Sequence, residues 1–330
     1  MLTAAVNAAD KPLYRLTKSV ALGAPDRWDY VVFDPATQRV YVAHGDRLTV
    51  VNGDDGSVIG EVPGFPGGTH GTALIGRLGL GFTDDGKAGE AAAFDLKTLA
   101  PHRHFKVDAD ADAVIYDPAS GHVFVINGDS GSISVIDPQQ EKVIDTIPIG
   151  EGLETPVADG RGKLFVNGAE NSDLVRIDTH TNQVDARWPI ADCKRPHGLA
   201  MDTDHRRLFP SCVNNVLLVV DADSGAVVAK LPIGSGTDAA AYDPGRHLVF
   251  SSNGRDGTLS VIRQNDANSY DVLASIRTAV TARTMAVDPV SGRLYLAAGQ
   301  VQPQAAGEPP PQHPAIVPGS LQLLFFDPLR

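Results

Sequence analysis

Residues 197–234 read HGLAMDTDHRRLFPSCVNNVLLVVDADSGAVVAKLPIG. Four apolar runs, HGLAMD, RLFPSC, VLLVVD and AVVAKLPIG, are separated by TDHR, VNN and ADSG. Short runs rich in β-branched residues, bounded by Asp, Asn, Gly and Pro, are the pattern of strand, turn, strand, loop, strand, turn, strand. The same order starts again at Asp112, as DAVIYD, PASG, HVFVIN, GDSG, SISVID, PQQE and KVIDTIPIG. Working outward, the opening run recurs as DYVVFD, HGTALI, ETPVAD, DAAAYD and RTMAVD. Its first residue is in turn Asp29, His70, Asp112, Glu154, His197, Asp238 and Arg283, at spacings of 41, 42, 42, 43, 41 and 45. A period of this size, with four strands per unit, marks an array of small sheets.

A second count runs through the outer turn. Asn52, Asp95, Asp137, Asp178 and Asp221 open it at gaps of 43, 42, 41 and 43, and the sixth unit carries RQNDANSYD, read as a longer turn. The seventh unit ends one strand short, after LQLLFFD at 321–327, whereas YRLTKSVAL at 14–22 precedes the first unit and has no partner of its own. An N-terminal strand that completes the last sheet closes the ring and removes its open edge. The expected fold is all-β: a seven-bladed β-propeller of four-stranded blades, a single domain over 14–330, with 1–13 as a tail. An open solenoid would leave 14–22 without a role.

The blade phrases RVYVAHG, HVFVING, KLFVNGA, LSVI and VVDADSGAVVAKLPIG resemble the YVTN-type, or YncE-like, β-propeller family over almost the whole chain. The resemblance implies the fold and a bacterial, often exported protein. It implies no reaction, because one propeller shape serves enzymes and binding modules alike.

Composition narrows the classes. The chain has 330 residues, 42% of them hydrophobic and 21% charged, with 33 Gly and 23 Pro spread along it and a net charge of −12. That is an ordinary globular composition. The acidic balance repels phosphates and disfavours nucleic-acid partners. Apolar runs stay far below the length of a membrane span. The N-terminal MLTAAVNAADKPLYR lacks the basic region of a complete leader, although its small residues resemble the tail of one. Periplasmic or secreted localisation and a monomer are expected. Nucleophile-elbow, zincin, phosphate-loop and dinucleotide motifs are missing, so no nucleotide cofactor is expected.

Chemistry is expected where the seven leading residues converge on one axis. Counting back across each hairpin sets Asp29 opposite His44, Asp112 opposite Asn127 and His197 opposite Cys212, which adds His44 and Asn127 to the ring. Opposed residues share a face at about 5 Å. In a catalytic reading His70 and His197 serve as base, Glu154 as acid or base partner and Arg283 as anion clamp, with Asp29, His44, Asp112, Asp238 and Asn127 binding substrate. That suits hydrolysis or elimination on a small anionic or sugar-like molecule, such as a lactone or acidic sugar. A metal reading draws on His70, Asp112, Glu154, His197 and Asp238 to hold one divalent ion of calcium, magnesium or zinc. The alternative is a non-catalytic ligand-binding or scaffold propeller of the cell envelope; a polar channel without a reaction is the plainest form of this. Four carboxylates against one arginine favour a cation or a metal-bridged ligand over a bare anion. Cys193 and Cys212 lie close across one hairpin, as a disulfide, two separate thiols or part of a soft-metal site. The Pro-rich loop 300–318 interrupts the seventh blade on the same face, either draped over the pore as a lid or lying free at the surface.

Overall fold

The computed structural model describes residues 13–303 and 315–329. The proposed tail, except its last residue, and the middle of the Pro-rich loop lie outside the described residues. Twenty-eight strands, numbered β1–β28 in chain order, form seven four-stranded sheets. Blades one to six are β2–β5 (31–63), β6–β9 (72–106), β10–β13 (111–148), β14–β17 (153–189), β18–β21 (196–232) and β22–β25 (237–277). Blade seven is β26–β28 (284–328) together with β1 (Tyr14–Ala21), in the order β1-β28-β27-β26. β1 pairs antiparallel with β28, from Tyr14 opposite Pro328 to Ala21 opposite Gln322, so the closing strand is where the repeat count places it. The first strand of each blade packs on the first strands of both neighbours, and β26 packs on β2. The ring is closed. One 3-10 turn, Gly76–Leu78, is the sole helix among the described residues, and no helix is long and apolar enough to cross a membrane.

The core is divided into seven clusters, one between each pair of neighbouring blades. This follows from the two-residue period of a strand, which sends successive side chains to opposite faces. On β3 (Arg39–His44), Val40 and Val42 join blade seven beside Tyr295 and Phe325, while Tyr41 and Ala43 join blade two beside Phe94. Every second strand carries one aromatic at the same position: Tyr41, Phe82, Phe124, Phe165, Phe209, Phe250 and Tyr295. All seven are buried, and truncating one to Ala is expected to cost about 3–5 kcal/mol.

Turn chemistry holds the blades' outer ends. The side-chain oxygens of Asn52, Asp95, Asp137, Asp178 and Asp221 each accept backbone N–H groups two and three residues on. Such Asx bonds recommend these residue types at a turn. Blade six departs from the expected long turn. β24 (Thr258–Asp266) and β25 (Ser269–Arg277) instead extend as a longer hairpin, and Asp266 and Ser269 are themselves paired.

Cys193 and Cys212 are joined by a disulfide with a Cα–Cα distance of 5.3 Å, buried beside Leu199 and Leu208. Their sulfurs are therefore not metal ligands. The described ends of the Pro-rich loop pair with each other through Val301 and Ile316, and Ile316 packs in the cluster that contains Trp28. These ends lie beside the residue that precedes Asp29. Residues 304–314 of the proposed lid lie outside the described residues.

Candidate functional site

Four of the ring residues sit at a bulge of their inner strand. In blade three Ala111 faces Asn127 but Ala113 faces Ile126, a slip of one residue at Asp112. The same slip occurs across Glu154, across His197 and at Asp238. An extra residue in one strand re-aims the side chain it carries. In blade one the Asp29 N–H donates to the Ala43 carbonyl and the Ala43 N–H to the Tyr30 carbonyl.

These bulges correct the hairpin count. Asn127 faces Ala111, Cys212 faces Pro196, and it is Ala43 that lies beside Asp29. His44 is wholly buried away from the axis. Its Nδ1 is 2.7 Å from the Thr49 hydroxyl and its Nε2 is 2.7 Å from the Pro25 carbonyl. Burial pushes its pKa down, and it works as a neutral tie for the loop before blade one. The Asn127 amide donates to the hydroxyls of Ser132 and Ser134 inside its own blade. Neither residue enters the ring.

The other seven do converge. A funnel of about 330 Å³ opens at this end of the axis, lined by Asp29, Asp112, Glu154, His197, Asp238 and Arg283. Asp110, Asp129, Glu170 and Arg195 also line it, as does Tyr30, whose hydroxyl is 2.8 Å from that of Thr155. Asp29, His70 and Asp112 each bring one ligand-capable atom within 4.8 Å of the others.

On the His70 side, β7 (Leu80–Asp85) supplies a residue the hairpin count missed. Asp84 is completely buried, and its carboxylate accepts the His70 Nδ1–H at 2.8 Å, the His70 backbone N–H at 2.9 Å and the Gly71 N–H at 2.6 Å. Burial pushes the Asp84 carboxyl up, but three donors aimed at it favour its charge. Burial likewise opposes an imidazolium at His70. The Asp84 hydrogen bond and the charges of Asp84, Asp29 and Asp112 outweigh it and raise His70 to about 10. Burial raises Asp29 to about 6 against the pull of Arg283, and burial and the Asp29 charge hold Asp112 well above its usual range.

The His197 side is an ion cluster without a dedicated partner. Glu154 and Asp238 approach Nδ1 at 3.5 and 3.3 Å, and neither is aligned for a hydrogen bond. Arg283 sits 2.9 Å from Asp238 and 3.9 Å from Asp29, donates to the Trp28 carbonyl at 2.9 Å and lies over the Trp28 ring at 5.7 Å. Burial works against the Asp238 charge, but His197 and Arg283 overcome it and lower its pKa. Glu154, pushed up by burial against the attraction of His197, reaches about 7.

No family model matches the chain, and no curated protein does. Solved structures do. The WD40 repeats of RRP9 superpose with a TM-score of 0.77 at 10% identity, over 94% of this chain and 97% of that one. U3-55K gives 0.76 at 10% identity, over 94% and 98%. Likeness at this identity establishes the seven-bladed propeller and nothing of its ligand.

Proposed function

We propose that the chain is a non-catalytic binding propeller whose acidic axial funnel holds a small ligand by a cationic group or a cation. One observation carries this reading: the funnel lining has seven carboxylates (Asp29, Asp110, Asp112, Asp129, Glu154, Glu170, Asp238) against Arg195, Arg283 and His197. Low-dielectric walls focus such a field on an entering cation. A disulfide and the resemblance to YVTN-type propellers support an exported, envelope setting for it.

A hydrolase or lyase reading has one observation in its favour, the buried Asp84 behind His70, which is how a general base is oriented. The acidic lining tells against it, because seven carboxylates repel the anionic substrates that this reading assigns.

Titration calorimetry with putrescine and a lysine-containing tripeptide, beside a neutral disaccharide and an acidic sugar, tests the proposal. The cationic probes are expected to bind, more weakly as salt rises and more weakly still in Asp238→Asn. Turnover of a lactone or an acidic sugar that His70→Ala abolishes would overturn it in favour of the enzyme.

A further inference from the structure

We infer that Asp29, His70 and Asp112 form a site for one divalent transition-metal ion of the zinc or manganese class, with Asp84 as the carboxylate that orients its histidine. The inference rests on the cation-holding reading of the funnel and names the cation: a resident metal whose open positions face the incoming ligand.

Three features of the His70 side point this way. One nitrogen of His70 is committed, and the other has no hydrogen-bond partner among the described residues. Nδ1 donates its N–H to Asp84 at 2.8 Å, which leaves Nε2 as the ligating atom, its proton released as the metal binds. A metal-binding histidine characteristically donates its second N–H to a carboxylate in this way. The ring is also fixed in place: a Cβ built on Gly86 would lie 2.5 Å from its Cε1, so the imidazole packs directly against backbone.

Next, Asp29 and Asp112 face the funnel without a donor among the described residues. Neither carboxylate accepts a hydrogen bond from any described residue, and the sole ion pair of Asp29 is with Arg283 at 3.9 Å. Two carboxylates this close without protein donors raise each other's pKa, and a bound cation relieves that repulsion. Finally, the span fits. Bonds of about 2.0–2.2 Å to nitrogen and oxygen place neighbouring ligand atoms about 3.0–3.5 Å apart. The three atoms already lie within 4.8 Å of one another, so a small inward rotation of the two aspartates closes the set. One imidazole with two carboxylates suits zinc or manganese; calcium prefers all-oxygen shells and magnesium keeps its water.

The test is metal binding by the full chain, stripped with chelator and titrated with zinc and with manganese, read by calorimetry, elemental analysis and the shift in melting temperature. One equivalent is expected in the wild type. Asp112→Asn and His70→Gln are expected to weaken binding about 100-fold or more, and Asp84→Asn about 10- to 100-fold. If Asp84→Asn does not fold, Asp112→Asn, in the funnel rather than the core, still decides. The exposed pairs His102–Glu141 and His104–Glu90 are the rival sites, so the double variant His102→Gln/His104→Gln should keep the metal. No stoichiometric uptake, or uptake lost in that double variant and kept in Asp112→Asn, overturns the inference. Amine binding without metal uptake would sink this inference and leave the proposed function standing. Metal uptake without any small-ligand binding would do the reverse.

Discussion

His70 and His197 occupy the same slot of the repeat in blades two and five, and they end in different chemistry. Both are followed by glycine for the same reason. A Cβ on Gly71 would lie 2.2 Å from the Val114 nitrogen, and one on Gly198 would lie 2.4 Å from the Ala240 nitrogen. The next blade's inner strand comes that close. The slots diverge at the residue paired with that glycine. In blade two it is Asp84, which captures the imidazole. In blade five the equivalent residue is Ser211, whose hydroxyl accepts from Thr237. His197 is left between Glu154 and Asp238, with Arg283 neutralising the latter. One side is therefore a pre-oriented histidine facing two carboxylates, and the other is a cluster of opposite charges without a dedicated hydrogen bond to its histidine. The backbone supplies the position, and one residue on the second strand decides what it becomes.

Asp84→Ser gives blade two the residue of blade five and should break the contrast most severely. Three donors lose their buried acceptor, so stability is expected to fall by about 3–5 kcal/mol in urea denaturation at pH 7. The His70 titration, followed by NMR, should drop steeply from about 10. A His70 pKa that stays put would mean that Asp29 and Asp112, not Asp84, hold its charge.

The His197 side is tested through Glu154, raised from 4.5 to about 7. A carboxyl with a raised folded pKa keeps a proton that the unfolded chain releases, so its contribution to stability declines as pH rises from about 4.5 to about 7. Over that window the loss is at most about 3 kcal/mol. Glu154→Gln should flatten this part of the stability profile. An unchanged slope would show that the ionised Glu154 is fully compensated by His197.

Much of this was legible in the sequence, and most of what was not traces to strand register. The 42-residue period, the turn-forming Asp and Asn residues and the unpaired 14–22 segment specify seven blades and their closure, because strand alternation and turn chemistry are local. The ring residues are legible for the same reason. Their neighbours are not, since a bulge adds one residue to one strand and leaves no mark in composition. A slip of one residue moves a side chain to the other face. This is why the count reached for Asn127 and His44. It is also why Tyr30, which alternation turns away from the face of Asp29, enters the funnel beside it. Asp84 lies fourteen residues after His70, whereas the count of fifteen used for Asp29, Asp112 and His197 would have reached Asp85. Arg195 carries no signal at all, coming from the loop ahead of blade five.

Arg283→Met makes the smallest change and separates the two sides most finely. The guanidinium straddles them, at 2.9 Å from Asp238 and 3.9 Å from Asp29, and its side chain is 41% exposed at the funnel. Water screens it there, so its loss should cost only about 1 kcal/mol of stability. The consequence for the two aspartates should be unequal. Asp238 keeps His197 at 3.3 Å and should remain ionised at neutral pH. Asp29, already at about 6 with burial as the largest cause and Arg283 as the largest opposing one, should rise further. Carboxyl NMR titration reads both in one experiment. If Asp238 moves more than Asp29, the halves are one network and the division at Asp84 and Ser211 is not what separates them. If Asp29 moves alone, the two sides titrate independently.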